Sequence, residues 1–178
     1  FGLVDKPNSR SSHYKPIALG GGIVLIPLIL IFSTLLNYYW NYYALISLII
    51  LFLISVFDDI KNVSAKNRLL CHFLATSIFC YYSIIPLISK IFGNSEFIFF
   101  LSIFLIILSI TWFINAFNFM DGINGITSIE VIFICCSILI FFFLIEKKIN
   151  ILAFTILLSA LIFIYFNWSP ASIFLGDS

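Results

Sequence analysis

Two long apolar runs in the second half of the chain constrain the fold more than any other feature of the sequence. Residues 97–114 read FIFFLSIFLIILSITWFI, and residues 127–145 read TSIEVIFICCSILIFFFLI. Each run is close to the roughly 20 apolar residues that a helix needs to cross a bilayer. In the whole chain 62% of the residues are hydrophobic and 10% are charged, whereas a soluble domain carries roughly 25% charged residues. Because lipid offers no partners to unpaired backbone groups, the sequence predicts an all-α, polytopic integral membrane helical bundle.

Six membrane-spanning helices are predicted within a single membrane domain, residues 1–178. The first two are short and need tilt or flanking aromatic residues, and we expect Pro27 and Pro86 to kink their spans. If the loops alternate sides, one side carries six Lys and Arg residues and the other carries three, which favours the first side as cytoplasmic. The predicted spans are residues 22–36, 43–57, 69–89, 97–114, 127–145 and 149–166.

All the aspartates fall in loops that this topology assigns to the cytoplasmic side. Of the glutamates, Glu96 and Glu146 lie in loops on the other side, and Glu130 lies within a span. Chance would scatter the aspartates over both sides, whereas a polar reaction face would gather them. This distribution is the first indication of function. The aspartates are Asp5, Asp58, Asp59, Asp121 and Asp177.

The stretch NAFNFMDGINGI is a polar break between the two long apolar runs. Asn115, Asn118 and Asp121 recur at steps of three, so at about 100° per residue they share one side of a helix. Gly122 and Gly125 then permit backbone turns or a close approach of helices. Such amide and carboxylate groups suit a metal ion, a pyrophosphate or the edge of a nucleobase. The alternative is hydrogen bonding between helices, with glycine as a packing seam.

Adjacent carboxylates, Asp58 and Asp59, follow the second predicted span. Two like charges side by side repel each other unless a cation holds them together, and Mg²⁺ prefers such oxygen ligands. An ordinary solvated loop start is the alternative. Lys61, Lys66 and Arg68 follow, and they suit either phosphate binding or the simpler task of keeping the loop cytoplasmic.

The two ends of the chain carry weaker signals. FNWSPASIFLGDS places Asp177 after a glycine, which alone is an ordinary turn. The triple glycine at residues 20–22 permits backbone amides to approach a phosphate, although the chain lacks the Lys-Ser/Thr ending of a P-loop. His13 and His72 have no histidine partner at metal-binding spacing, so we expect structural roles for both. The cysteines are expected to be small buried hydrophobes. Without an initiator Met or a signal peptide, the chain is expected to be part of a longer protein.

Together, four ordered motifs closely resemble the polyprenyl-phosphate N-acetylhexosamine-1-phosphate transferase family, also called glycosyltransferase family 4. They are VDKPNSRSSH with the following proline and triple glycine, DDIKN, NAFNFMDGINGI, and FNWSPASIFLGDS. The resemblance covers nearly the whole chain. It implies transfer of a sugar-1-phosphate from a UDP-N-acetylhexosamine, such as UDP-GlcNAc, to undecaprenyl phosphate, with release of UMP and a requirement for Mg²⁺ or Mn²⁺.

The resemblance also implies a place in the cell and in a pathway. We expect a multi-pass protein of the bacterial inner (cytoplasmic) membrane, in contact with membrane lipid, with its active face in the cytoplasm and no nucleic-acid partner. The reaction would be the first membrane step of cell-envelope polysaccharide synthesis, such as that of the O-antigen of lipopolysaccharide.

The family's catalytic and metal-binding residues can be carried over by position. Asp58 and Asp59 match its aspartate pair, near the lipid phosphate and the metal, and Asp121 matches the acid that follows the motif's asparagine. These three are the expected catalytic residues. Asp177, in the Gly-Asp motif, and Asn118 are the expected metal ligands.

The substrate-binding residues follow from the same resemblance. Asn124 matches the position that reads the uracil edge, and Arg68 matches a basic position that contacts the nucleotide phosphates. Asn115 and Lys66 are also expected to bind substrate. Two departures stand out: Asn124 replaces an Asp that many bacterial relatives have, and PIALGGG lacks a proline and a basic residue common there. The family also has about ten or eleven spans, so we expect a truncated part of that fold.

Two other hypotheses compete with an active transferase. The chain could be an inactive or split-gene remnant that requires the missing C-terminal part, supplied by a partner polypeptide or a second copy in a homodimer. It could also be an ion-coupled membrane transporter, which predicts acids within spans and internal repeats. Only Glu130 lies within a span, and the sequence has no clear repeat.

Overall fold

The computed structural model describes residues 3–5, 7, 14–61, 63–92, 95–120 and 123–176 of the 178-residue chain. These residues form seven α-helices and one short antiparallel pair of strands, so the predicted all-α membrane fold is confirmed. The strands are β1 (Val4–Asp5) and β2 (Ile17–Ala18). The helices are α1 (Gly21–Leu35), α2 (Tyr42–Lys61), α3 (Ala65–Ser83), α4 (Ile85–Phe92), α5 (Glu96–Met120), α6 (Ile126–Glu146) and α7 (Ile151–Asn167).

The lengths of the helices fit a membrane protein. Among the described residues, α2, α5 and α6 are each long and apolar enough to cross a bilayer, and α3 with α4 would make a fourth crossing that is bent by 59°. The helices α1 and α7 are shorter and also apolar. Each of the six predicted spans falls on one of these helices or on the bent pair, and the number of crossings stays a prediction.

Small and polar side chains fill the interior, while large apolar side chains face outward. Buried positions in the helices include Ser33, Ser47, Ala75 and Ala153, whereas Phe97 and Phe133 are 76% and 69% exposed. This is the inverse of a soluble protein, and it is expected where lipid surrounds the fold and small residues let helix backbones approach closely.

The fold consists of two compact units. Unit 1 comprises Phe1–Tyr39 with Phe119–Ser178, and unit 2 comprises Trp40–Asn118. The assignment of residues 1–178 to a single membrane domain stays a prediction.

In unit 2, α2 and α3 form an antiparallel hairpin that is fixed at both ends. Near the start of α2, the Tyr43 ring stacks on Tyr82 at the end of α3, with ring centroids 5.2 Å apart. At the other end, Asp58 in α2 pairs with Arg68 near the start of α3. The predicted kink at Pro86 is confirmed as a break: α3 ends at Ser83, and the proline sits in the first turn of α4, where its missing amide is tolerated.

In unit 1, the start of α1 packs against the segment that follows α7. The amides of Gly21 and Gly22 donate to the carbonyls of Phe174 and Leu175, at 3.1 and 2.9 Å. A Cβ at Gly21 would lie 2.6 Å from the Phe163 ring, so only glycine fits this contact. The suggestion that the triple glycine offers its amides to a phosphate is therefore wrong for Gly21 and Gly22, because both amides already bond the protein.

The same segment joins β2. The Phe174 amide donates to the Ala18 carbonyl at 2.9 Å, and Ala18 forms a parallel bridge with Ile173. The helix α1 continues through Pro27. Unit 1 thus places Gly176, the glycine before Asp177, directly after a segment that is hydrogen-bonded to the chain on both sides.

Candidate functional site

The turn between α2 and α3 is organised by Asp58. This side chain is buried, and its Oδ1 accepts a hydrogen bond from the Val63 amide at 2.6 Å. Its Oδ2 forms an ion pair with Arg68. Ser64 caps α3 by accepting from the Asn67 amide. Because a buried carboxylate is tolerated only when it is paired and hydrogen-bonded, Asp58 and Arg68 depend on each other.

The two members of the predicted carboxylate pair have different surroundings. Asp58 is 5% exposed, while Asp59 is only partly buried. Lys66, in the first turn of α3, is exposed. Asp58 thus anchors the turn, and Asp59 is the member of the pair that lies closer to the surface of the unit.

The asparagines of the NAFNFM stretch lie within α5, which continues to Met120 and so extends past the predicted end at residue 114. Asn115 and Asn118 are both partly buried. The side-chain Nδ2 of Asn115 donates to the backbone carbonyl of Thr111 one turn earlier, at 2.9 Å. Asn115 and Asn118 are therefore both helical, as the predicted shared face requires. Asp121, the third predicted member of that face, lies outside the described residues.

His72 lies one turn after Arg68 in α3 and is completely buried. The Asn115 side chain lies beside the imidazole, within interacting reach. Neither ring nitrogen meets the geometry of a well-aligned hydrogen bond to a described residue. Unit 2 therefore places the buried His72 one turn beyond the Asp58–Arg68 ion pair.

Unit 1 holds Asn124 in the turn before α6. Its Oδ1 is buried and has no hydrogen-bond partner among the described residues. Asn124 lines a pocket of about 470 Å³, together with Lys15 from the N-terminal segment and Ser169 and Ser172 from the segment after α7. Proline, isoleucine and alanine side chains also line this pocket, and an unpaired carboxamide oxygen beside it suits a ligand that presents an N–H or O–H donor.

Asn167, the last residue of α7, fastens this turn to the segment that leads to Gly176. Its Oδ1 accepts from the Gly125 amide at 3.0 Å and from the Ser128 hydroxyl at 3.2 Å. Its Nδ2 donates to the Ile173 carbonyl at 3.1 Å, and the residue is 0% exposed. Within unit 1, Asn167 thus connects the end of the NAFNFMDGINGI motif with the FNWSPASIFLGDS motif.

The sequence interpretation gave Asn167 no role beyond opening its motif. The signal that could have found it is an asparagine at the end of an apolar helix, where a buried carboxamide needs several partners. The structure explains the glycine that it bonds: Gly125 has φ +77°, and a Cβ there would lie 3.1 Å from the Trp168 ring.

Only one of the two predicted metal ligands is among the described residues. Asn118 is described, whereas Asp177 lies outside the described residues, as does the catalytic candidate Asp121. In the part of the chain that the structure covers, no three His, Cys, Asp or Glu side chains form a cluster able to hold a metal. The donor chemistry of Asp59 and Asn118 is nevertheless oxygen alone, which fits a hard divalent cation.

These features define the chain first as a helical membrane protein in which Asp58, Asp59, Arg68 and Asn118 lie in the end turns of their helices. The comparison with protein families identifies the class further, since the model of glycosyl transferase family 4 matches residues 39–178. The chain belongs to this family, as its four motifs predicted.

Individual relatives agree with this assignment. A phospho-N-acetylmuramoyl-pentapeptide-transferase from Buchnera aphidicola subsp. Acyrthosiphon pisum (strain 5A) is 30% identical in an alignment of 212 positions, which covers 96% of this chain and 58% of that protein. An undecaprenyl-phosphate alpha-N-acetylglucosaminyl 1-phosphate transferase from Escherichia coli K12 is 32% identical over 134 residues, which cover 70% of this chain and 35% of that protein. The matched region therefore spans a little more than half the length of the Buchnera protein and about a third of the Escherichia coli protein.

Proposed function

We propose that this chain takes part in the transfer of an N-acetylated sugar-1-phosphate from a UDP-sugar to undecaprenyl phosphate, which forms undecaprenyl-diphosphate-sugar and UMP. The observation that carries the proposal is the family match over residues 39–178, which contains three of the four motifs. The names of the relatives, both of them transferases and one acting on undecaprenyl phosphate, support the same reaction.

The positions of the polar residues along their helices give further support. Asp58 and Asp59 lie in the last turn of α2, Arg68 in the first turns of α3, and Asn118 in the last turn of α5. Asn124 directly precedes the turn that begins α6. Helix ends are where a membrane protein can meet both a water-soluble nucleotide sugar and a lipid phosphate in the headgroup region.

For the donor, we propose that Asn124 recognises the uracil of a UDP-N-acetylhexosamine. Its buried Oδ1 lacks a partner within the described part of the chain, and the pocket around it is lined by Lys15 and two serines. Uracil presents an N–H donor that such an oxygen would accept. Arg68, Lys66 and Asn115 are proposed to contact the phosphates and the sugar.

For the chemistry, we propose that Asp59, Asn118 and Asp177 hold Mg²⁺ or Mn²⁺. When bound, such a cation neutralises charge where one phosphate attacks another. The remaining work is positioning, which supplies most of the rate in phosphoryl transfer. Asp59 would also accept a proton from the lipid phosphate, with Asp121 as a further acid of the site.

The contacts of Asp58 suggest a specific role for this residue, beyond its match to the family's aspartate pair. Its two oxygens bond the Val63 amide and Arg68, so it holds the guanidinium in a fixed direction at the start of α3. Charge-assisted pairs of this kind set geometry as well as energy. We propose that Asp58 acts by orienting Arg68 toward a substrate phosphate.

The proposed location is the bacterial inner membrane with the active face in the cytoplasm, where UDP-sugars are made. The proposed pathway is cell-envelope polysaccharide synthesis, with an O-antigen of lipopolysaccharide as one product. A second copy or a partner polypeptide that supplies further spans would be compatible with the share of the relatives that the chain covers.

The test is a transfer assay in membranes that contain the expressed chain, undecaprenyl phosphate, Mg²⁺ and labelled UDP-GlcNAc. We expect labelled lipid and UMP, and a loss on the order of 100-fold in Asp59→Asn and Asp177→Asn, the scale seen when a charge-stabilising group is removed. Glu146→Gln is the matched control, because this acid is exposed at the far end of α6. Unchanged transfer in both aspartate variants would refute the site, and transfer only by a longer form of the protein would favour the remnant hypothesis.

A further inference from the structure

The hairpin of α2 and α3 in unit 2 has a measurable distance between its two fixed ends. At one end Asp58 pairs with Arg68, and at the other end the Tyr43 ring stacks on Tyr82, with ring centroids 5.2 Å apart. Tyr43 and Asp58 are 15 positions apart on α2, and Arg68 and Tyr82 are 14 positions apart on α3. At 1.5 Å per residue, the mainly apolar stretch between these ends is about 21–22 Å long on either helix.

Three features place the Tyr43 end of this hairpin at the surface of the bilayer. Asn41 caps α2, since its Oδ1 accepts from the Tyr43 amide at 2.8 Å. Tyr42 and Tyr81 lie beside the Tyr43 ring and are 71% and 62% exposed, and tyrosines gather where a membrane meets water. The chain then bends by 59° into α4, whose last turn carries the exposed Lys90. The apolar stretch of the hairpin therefore ends at this level.

The opposite end of the hairpin carries charged side chains. Asp59 and Arg68 are partly exposed, and Lys61 and Lys66 are exposed. A charge held in hydrocarbon costs far more free energy than one ångström of mismatch between a helix and the bilayer. Several charges at one level therefore favour a bilayer that ends there over one that covers them.

Unit 1, taken by itself, also has short apolar stretches. In α7 the capping Asn150 and the buried Asn167 are 17 positions apart, or about 26 Å. In α6 Glu130 and Glu146 are 16 positions apart, or about 24 Å. The helix α1 has 15 residues, or about 22 Å. A short stretch accounts for Glu130, the acid inside a predicted span, because its carboxylate then lies at the end of the apolar stretch.

These stretches are shorter than a typical bilayer is thick. The hydrocarbon core of such a bilayer measures about 30 Å, whereas the stretches measure about 21–26 Å. We propose that the outward-facing apolar side chains between these ends, here called the apolar belt, hold a bilayer that is thinner around this protein by about 4–9 Å. Glu96 and Asn115 on the longer α5 are 19 positions apart, or about 28 Å, and α5 fits the same belt by tilting. Lipid headgroups then lie at the depth of Arg68.

Cysteine labelling in nanodiscs measures the height of the belt, because both faces of a nanodisc are open to water. Tyr42 and Ile60 are 71% and 55% exposed on α2, and they are 18 positions or about 27 Å apart. In a background without the native cysteines, Tyr42→Cys and Ile60→Cys should both react with a charged, water-soluble maleimide. Ile49→Cys and Leu53→Cys, at exposed positions in the middle of α2, are the matched controls. They should react about 100-fold more slowly, because apolar surroundings suppress the reactive thiolate.

The spacing of the two end positions makes this result decisive. A hydrocarbon core about 30 Å thick would cover at least one of them, and tilting of α2 would only bring them closer together in depth. Labelling at one end alone, or at neither end, would therefore overturn the proposal.

The length of the lipid chains separates a thinned bilayer from a water-filled cleft. Labelling at both ends should be slower in long-chain dierucoyl phosphatidylcholine than in short-chain dimyristoleoyl phosphatidylcholine, on the order of 10-fold, because thinning a thicker bilayer costs more. Equal rates in the two lipids would mean that water reaches these positions through a cleft, and the proposal would be wrong.

Thermal midpoints in the same two lipids test the belt in unit 1. The wild type should be more stable in the short-chain lipid. Glu130→Leu lengthens the apolar stretch of α6 and should reduce this difference. Ser137→Leu is the matched control, since it adds the same side chain at an exposed position in the middle of α6, and it should leave the difference unchanged.

Two outcomes of the stability measurement would contradict the proposal. One is a wild type that is as stable in the long-chain lipid as in the short-chain lipid. The other is an equal effect of Glu130→Leu and Ser137→Leu on the difference between the lipids. None of these measurements uses transfer activity, so their failure and the failure of the proposed function are distinguishable.

Discussion

Replacing Asn167 tests how the two motifs of unit 1 are held together. Asn167→Ala removes three hydrogen bonds, to the Gly125 amide, the Ser128 hydroxyl and the Ile173 carbonyl. The Ser128 hydroxyl can rotate toward a carbonyl of its own helix. The other two groups are backbone groups in a site where the side chain is 0% exposed, so they lose their side-chain partner without gaining water.

The expected magnitude follows from those two groups. At about 1–3 kcal/mol for each buried group left unsatisfied, the free energy of unfolding should fall by about 2–6 kcal/mol. Asn150→Ala is the matched control at the other end of α7. There the side chain only caps the helix by accepting from the Ala153 amide at 2.9 Å, and the loss of such a cap costs about 1 kcal/mol.

The assay is denaturant titration in detergent micelles, followed by tryptophan fluorescence. Trp168 is a suitable reporter, because it is next to Asn167 in the chain and its ring lies against Gly125. Its emission should change at lower denaturant in Asn167→Ala than in Asn150→Ala. An Asn167 variant as stable as the Asn150 control would show that this carboxamide does not join the two segments.

Three further substitutions have definite expected outcomes. Gly125→Ala places a side chain at φ +77° and about 3.1 Å from the Trp168 ring; it should destabilise by about 1–2 kcal/mol, as the same titration would show. Gly21→Ala puts a Cβ 2.6 Å from the Phe163 ring and should destabilise, with recovery when Phe163→Leu is added; no recovery would contradict the contact. Arg68→Leu leaves Asp58 buried without its partner and should destabilise by about 3–5 kcal/mol, whereas Lys66→Leu, at an exposed position, should change stability little.

Much of the fold could be predicted from the sequence, because its signals are strong and local. Long apolar runs define helices in lipid without help from the rest of the chain. The predicted run at residues 97–114 ends earlier than α5, since Asn115 and Asn118 continue the helix to Met120. Polar residues suggested a loop there, but an asparagine that bonds a carbonyl of its own helix, as Asn115 does, can remain helical.

The motifs name candidate site residues, whereas the contacts of those residues are visible only in the structure. The motifs predict that Asp58 and Arg68 lie near a substrate, and the structure shows that they pair with each other. Asn167 bonds partners 39 and 42 residues away in the chain, and no local pattern reveals such a distance. The triple glycine misled for the same reason, because the carbonyls that occupy its amides come from Phe174 and Leu175.

In the proposed reaction the sugar moves together with its phosphate. The most direct measurement uses UDP-GlcNAc labelled with ³²P in either the α- or the β-phosphate, in membranes that contain the expressed chain, undecaprenyl phosphate and Mg²⁺. We expect the β-label to enter the lipid fraction while the α-label leaves in UMP. Release of both labels in UDP, with the sugar alone on the lipid, would contradict it.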